Sequence, residues 1–475
     1  MIMKKIFSSK NIILAGGLLI ALSTLVSCKK LIEIPANPPT NITRQQVFAD
    51  SATAISAVAG VYSFTPSNNN NNGIPYFSGY FDVTTSLSAH EVSYTANYGD
   101  YTQFYSYTLT PQNQEINALW SSPYGEIYQI NDILTNITNN GNLSPSLVKQ
   151  LTGEMEVVRA FVYFYQVNLF GGVPVVTTTD YTTNAQLPRA TSAAVYTQIL
   201  ADLNDAVKKL PTTYPSAGHV RPNLYTAVAL QAKVHLYQGN WQAAYNEADS
   251  VITSGGFSLL TDLNSVFLDG SAEAIWQVPI ENAYQGSGDA QNFFPSGGGT
   301  PNYVVTDSLL SKFGANDLRK ADWLGYNVVN SDTLYYPFKY KDLAPTTPAT
   351  DFMMLRLGEM YLIRAEAAAQ LNKLSQAVAD VNTIRARAGL AVTTVDATSQ
   401  KAVLGAVRDE RRLELCFEFG NRFFDLGRTS TDSKYPSSGQ AAAVLTSWQP
   451  DFAIYPVPLT QRQLNSHLTQ NPGYH

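Results

Sequence analysis

The sequence predicts a mostly α-helical protein in which paired helices build a scaffold and irregular segments of loops and short strands form a further layer. Three observations predict this. Helical periodicity resumes repeatedly along the chain; two segments repeat a helix, a tight turn and a second helix at matching spacing; and a glycine-, proline- and aromatic-rich stretch, residues 257–350, interrupts the array between them.

The first element is a secretory signal over residues 1–27. Lys4 and Lys5 precede an apolar run from Ile12 to Val26, about 15 residues and so short of the roughly 20 that span a bilayer as a helix. It ends Leu25-Val26-Ser27-Cys28, which resembles the lipobox of bacterial lipoproteins, where the cysteine is acylated and becomes the new N-terminus. Cys28 is therefore the expected lipid attachment site, and several acyl chains on it give stable anchoring without a spanning helix. Residues 28–42, with Pro35, Pro38 and Pro39, read as an extended tether.

Thr43 is placed to cap a helix running through Val47, Ala54, Ile55, Val58 and Val61. From Tyr76 to Thr110 no helical period survives, and short strands and loops are expected. Helical pattern resumes over 113–137, 145–170 and 192–210, the second of these stopped by Gly171, Gly172 and Pro174. In the first repeat, Ala232, Gly239, Asn240, Trp241 and Ala244 set a helix, a turn and a helix closed by Gly255 and Gly256. In the second, Ala365, Leu374 and Ala377 recur at the same spacing and Gly389 closes the unit. The spacing resembles the tetratricopeptide repeat, whose pairs must stack to bury their apolar faces.

Composition narrows the function. Of 475 residues 45% are apolar but only 14% charged, against about 25% in an average soluble chain. Tyr (28) outnumbers Phe (21), which suits surfaces where a ring stacks and a hydroxyl hydrogen-bonds. Without its first 27 residues the chain has 28 basic and 37 acidic residues, a charge of −9, and no basic stripe; nucleic-acid binding is not expected. The two cysteines, Cys28 and Cys416, make no disulfide framework. Cys416, between Leu415 and Phe417, reads as a small buried apolar side chain.

Several blocks resemble the SusD/RagB family of Bacteroidetes outer-membrane lipoproteins. They are Val158-Arg159-Ala160-Phe161-Val162-Tyr163-Phe164 running into Asn168-Leu169-Phe170-Gly171-Gly172-Val173-Pro174, and Arg356-Leu357-Gly358-Glu359-Met360-Tyr361-Leu362-Ile363-Arg364-Ala365-Glu366-Ala367. Glu410-Arg411-Arg412-Leu413-Glu414-Leu415, Arg422-Phe423-Phe424-Asp425-Leu426 and Gln470-Asn471-Pro472-Gly473-Tyr474 follow in the family's order. The resemblance implies tetratricopeptide-like helix pairs with an irregular ligand-binding layer. It divides the mature chain into a SusD-like N-terminal part, 43–256, and a SusD/RagB C-terminal part, 257–475. It also implies a role at the outer membrane as binding subunit and lid of a SusC-like TonB-dependent importer of glycans or other nutrients. Acidic residues after the lipidated cysteine often favour surface export in these bacteria. Here Lys29 and Lys30 follow it with only Glu33 nearby, so the face of the membrane stays open.

The family blocks are not the expected site. Arg411, Arg412, Glu414, Glu418 and Arg422 alternate in sign and read as ion pairs supporting a packed element. Trp120 and Trp241 read as packing residues. Oligosaccharide recognition needs flat rings with amide or hydroxyl groups beside them. Tyr94 and Tyr98, beside Tyr101, Asn97 and Gln103, together with Tyr284 and Trp323 from the insertion, are the expected glycan-binding rings. No catalytic residue, cofactor or metal ligand is expected. The five histidines lack metal-ligand spacing, and no G-x-S-x-G or P-loop occurs. Two alternatives stand beside this reading: a tetratricopeptide scaffold that binds only proteins, and a glycoside hydrolase using two of Asp82, Glu91 and Asp100.

Overall fold

A computed structural model describes residues 43–62, 79–280, 287–295, 297–344, 346–437, 445 and 447–474. Cys28 with its signal and tether, and Tyr284 with Asn282, lie outside the described residues.

In chain order the elements are α1 (Arg44–Val47), α2 (Ser51–Tyr62), α3 (Tyr80–Ser88), β1 (Val92–Tyr94), α4 (Gly99–Ser106), α5 (Gln114–Ile137), α6 (Pro145–Phe170), α7 (Tyr181–Asn184), α8 (Ser192–Lys209), α9 (Leu224–Tyr237) and α10 (Trp241–Ser254). The insertion follows, with β2 (Ala274–Pro279), α11 (Gly288–Phe293), β3 (Tyr303–Val305), α12 (Asp307–Leu310), α13 (Leu318–Trp323), β4 (Leu324–Val329), β5 (Asp332–Pro337) and β6 (Asp351–Arg356). The chain ends through α14 (Leu357–Gln370), α15 (Leu374–Arg387), α16 (Gln400–Glu414), α17 (Asn421–Thr429) and α18 (Leu459–Leu464). The protein is mostly helical. No helix among the described residues is long and apolar enough to cross a membrane.

The long helices begin where side chains satisfy their first amides. Asn113 Oδ1 accepts from the Glu115 and Ile116 N–H groups, Ser144 caps α6 ahead of Pro145, and Asn223 forms a capping box with Thr226. Gly171, at φ +70°, ends α6. The expected single helix from Thr43 is instead two. Thr43 caps α1, the chain breaks at Phe48, and Asp50 Oδ1 receives the Ala52 and Thr53 amides to start α2.

The two repeats share one turn. In the first, Gly239 at φ +72° separates α9 from α10, with bonds from Gly239 N to Leu236 O (3.1 Å) and Asn240 N to His235 O (2.8 Å). In the second, Asn372 at φ +59° separates α14 from α15, with Asn372 N to Ala369 O (3.1 Å) and Lys373 N to Ala368 O (2.8 Å). Asn tolerates the left-handed conformation that Gly adopts freely, so different residues close the same turn. The pairs stack directly, α10 on α14, and α10 buries Ala244, Ala248 and Val251. Two polar ties cross between them: Lys233 to Glu359 at 2.9 Å, and Arg364 to Asp249 at 2.6 Å while it also holds Asp380. Ahead of them α5, α6, α8 and α9 pack in succession.

Strands occur as three antiparallel pairs: β1 with β3, β2 with β6, and the β4–β5 hairpin. Pro279 lies opposite Asp351, so the β2–β6 ladder closes the base of the excursion that carries α11 to β5. Residues 76–110, expected as strands and loops, hold α3 and α4 as well as β1. Positions 81–88 of α3 are all buried, which erases the one-sided apolar stripe that marks a helix in sequence. Thr84 and Thr85 turn their hydroxyls back to the Phe81 carbonyl at 3.0 and 2.8 Å, which lets a polar run pack inside.

Candidate functional site

The β1–β3 ladder sets Tyr94 opposite Tyr303, and their rings lie 5.3 Å apart. Tyr98 ends the loop that leads into α4, and Tyr101 stands in the first turn of that helix. Tyr101 is the hub: its ring meets Tyr94 at 5.5 Å, Tyr98 at 5.2 Å, Tyr303 at 6.0 Å and Tyr80 at 6.1 Å, each edge to face. Burial grades across the group. Tyr303 is buried, Tyr94 and Tyr101 are half-buried, and Tyr98 is 41% exposed.

Hydrogen-bonding groups edge these rings. Tyr98 Oη donates to Asp100 Oδ2 at 3.3 Å, which also receives the Gln114 amide at 3.1 Å. Asn113 Nδ2 donates to the Asp100 carbonyl and to Gln103 Oε1. Behind them Glu115 is buried with Oε2 unpartnered, and burial pushes its carboxyl up to about 7. Asn113 is buried and fully engaged, so it holds Gln103 and Asp100 in place, and the accessible ring beside them can stack on the C–H face of a sugar while the Gln103 amide and the Asp100 carboxylate bond its hydroxyls.

A second aromatic surface adjoins the first, because β5 runs beside β3. Across the hairpin Tyr326, 61% exposed, faces Tyr335 at 5.9 Å, and the Lys320 ammonium lies 5.3 Å from the Tyr335 ring. Asn327 Nδ2 donates to the Gly297 and Gly299 carbonyls and ties the hairpin to the glycine loop. Tyr326 and Tyr335 stand in the aromatic-rich insertion, but alternation along a strand gave no way to rank them above its other rings. Tyr303 carried no signal at all, since only the pairing of β3 with distant β1 brings it in.

Trp323 is a correction. It has 0% exposure, its indole N–H donates to the Leu263 carbonyl at 3.1 Å, and Phe267, Tyr340 and Met353 pack around it. Its ring has no face for a sugar. Trp120 is buried as expected, and so is Cys416, whose thiol burial pushes up to about 12.

Of the alternating charges, most pair in the interior. Glu414 binds Arg319, Arg356 and Arg387; Glu418 binds Arg356 and Lys339; Arg411 binds Asp425 at 2.8 Å. Arg412 and Arg422 form no ion pair among the described residues, which corrects the reading of the whole run as paired. Of the three carboxylates considered for hydrolysis, Asp82 and Glu91 are buried at 3% exposure, and Asp100 alone reaches the surface. No group of three His, Cys, Asp or Glu side chains among the described residues is placed to hold a metal ion.

Two family models match the chain: residues 39–236 one described as "Starch-binding associating with outer membrane", and residues 324–474 one described as the SusD family. SusD-like protein P25 of Formosa agariphila is 24% identical over 94% of this chain and 97% of its own length. The starch-binding protein SusD of Bacteroides thetaiotaomicron is 29% identical over 42% of this chain and 33% of its own. Among solved structures, a SusD superfamily protein from Parabacteroides distasonis superposes with a TM-score of 0.75 at 24% identity, covering 91% of this chain and 100% of that one. A laminarin-binding SusD-like protein superposes with a TM-score of 0.73 at 23% identity, covering 90% and 100%.

Proposed function

This chain belongs to the SusD/RagB family, and from that premise we propose that it is a glycan-binding lipoprotein of the outer membrane, the binding subunit and lid of a SusC-like TonB-dependent importer. Cys28 carries the lipid. The ligand is an oligosaccharide, held without cleavage on Tyr98 and Tyr94 with Tyr101 behind them. The observation that carries this reading is the graded tyrosine cluster: Tyr98 presents an accessible ring beside Asp100 while Tyr101 and Tyr303 fix its base. A scaffold that bound only proteins would have no need of an exposed ring edged by a carboxylate and an amide. A hydrolase would need two carboxylates across one sugar, and burial removes Asp82 and Glu91 from that role.

Calorimetric titration of the mature protein against a panel of neutral oligosaccharides, α- and β-linked glucans among them, tests the binding. Saturable heat with at least one glycan, with no product sugars on prolonged incubation, is the expected result. The reading fails if no glycan binds or if the sugar is cut. The transporter role is tested separately by affinity purification from gently solubilised membranes, where recovery of this chain without a large β-barrel partner would refute it.

A further inference from the structure

A cleft of about 280 Å³ opens between α15, α16 and the segment after α12. Lys312, Arg385, Thr393, Asp409, Glu410 and Arg412 line it. Its two acids are already engaged: Asp409 with Arg408 at 3.0 Å, and Glu410 with Arg319 at 2.7 Å. Arg385 donates to the Ala391 carbonyl and only distantly to Glu410, at 3.4 Å. Lys312 is exposed, and its side chain has no hydrogen bond or ion pair among the described residues. Arg412 is the unusual member. At 7% exposure its one side-chain hydrogen bond runs from Nη2 to Ser308 Oγ at 2.9 Å, and its buried Nε has no partner.

Behind Arg412 the imbalance deepens. Arg422 is buried with Nε unpartnered and no ion pair, and burial together with the Arg412 charge holds it down to about 9. Glu91 faces both guanidinium groups without touching either, its Oε2 taken by the Phe417 amide and the Ser86 hydroxyl. A buried guanidinium without a carboxylate against it is costly unless another anion compensates it. Its fork geometry suits an oxyanion better than water does.

We propose that this cleft binds a small oxyanion, gripped by the Arg412 guanidinium that lines it and by the Lys312 ammonium at the rim. The ligand class is sulfate, phosphate or the carboxylate of a small acid. Asp409 and Glu410, held by their own arginines, keep the cleft from admitting a larger polyanion.

Titration calorimetry of the mature protein with sodium sulfate, sodium phosphate and sodium glucuronate, at ionic strength fixed with chloride, tests this. Saturable heat is expected with at least one of the three. A response to sulfate and phosphate alone assigns the site to inorganic anions; a response to glucuronate assigns it to acid groups on organic ligands. Arg412→Gln should weaken binding about tenfold or more, and Lys312→Gln should weaken it severalfold. Arg412 has no ion pair to lose, only its bond to Ser308, so R412Q should stay folded in chloride and keep the parent's glycan affinity. No saturable heat from any of the three, or variants that titrate as the parent does, overturns the proposal. If R412Q fails to fold, the surface variant K312Q decides alone.

Discussion

The ammonium of Lys339 lies 4.2 Å from the centroid of the Trp323 ring. The same ammonium donates to Glu418 at 2.5 Å and to the Glu414 carbonyl at 2.8 Å, and the Arg356 and Arg387 guanidinium groups stand 5.9 and 5.8 Å from that ring. Trp323 thus covers one side of a buried charge network with a π-face that favours cations. Truncating it leaves a large cavity and exposes those cations to an empty wall. Trp323→Ala should cost about 3–5 kcal/mol of stability, read in denaturant melts, with glycan affinity of the folded fraction unchanged. A variant as stable as the parent would show that the ring is not part of this core.

The tyrosine cluster allows a sharper test, because two of its rings should fail differently. Tyr98→Ala removes an exposed platform and should weaken glycan binding about tenfold, roughly 1.4 kcal/mol, with little change in melting. Tyr303→Ala removes a buried ring packed on Phe293, Tyr94 and Tyr101, and should lower the melting temperature instead. Paired titrations and melts separate the two. Equal loss of stability in both would make the cluster core rather than site.

A helix with one apolar stripe could be read from sequence nearly to the residue; α8, expected over 192–210, runs Ser192–Lys209 and buries Val195, Ile199, Asp202, Leu203 and Ala206. α3 could not, because both its faces are buried and its hydroxyls bond its own backbone. In the irregular segments, Tyr98 and Trp323 look alike along the chain, each an aromatic in a polar stretch. What separates them is long-range: the Leu263 carbonyl and the Lys339 ammonium claim Trp323, and nothing comparable covers Tyr98. Arg411 and Arg412 make the same point at one residue's distance. A rotation of about 100° per residue turns the first toward Asp425 and the second into the cleft, and no pattern of alternating sign reveals which partner exists.

Anchoring should depend on one sulfur. If Cys28 is acylated, intact mass will show a chain beginning there with its lipid, and Cys28→Ser will move the protein from the membrane to the soluble fraction. Retention of the variant in membranes to the parent's extent would exclude the lipid as the anchor. Protease applied to intact cells then distinguishes the outer from the inner face, the point that Lys29 and Lys30 leave open.

A buried pair of acids should give the protein a measurable pH dependence. Asp82 lies in the first turn of α3 and Asp289 in the first turn of α11, where Gly79 packs so closely that a Cβ would stand 2.4 Å from the Asp289 amide. Neither oxygen of Asp289 has a protein donor, and Asp82 Oδ1 lacks one as well. Burial raises both carboxyls, Asp289 to about 7 and Asp82 well above its usual range. Neighbouring Glu418 pushes in the same direction, and Lys339 and Tyr340 line the small cavity beside Asp289. Two facing carboxyls can hydrogen-bond only if a proton stays between them. The folded state therefore holds protons that the unfolded chain releases near pH 4, so this contribution to stability is present in acid and is lost as pH rises toward about 7. Asp289→Asn supplies a neutral donor to Asp82 without needing that proton. Its stability relative to the parent should rise between about pH 5 and about pH 8, measured by urea melts across that range. Glu91, Glu115 and Glu126 titrate in the same sense but remain in both proteins, so their slope cancels in the difference. A parent-minus-variant difference that stays flat across the range would mean that Asp82 and Asp289 share no proton.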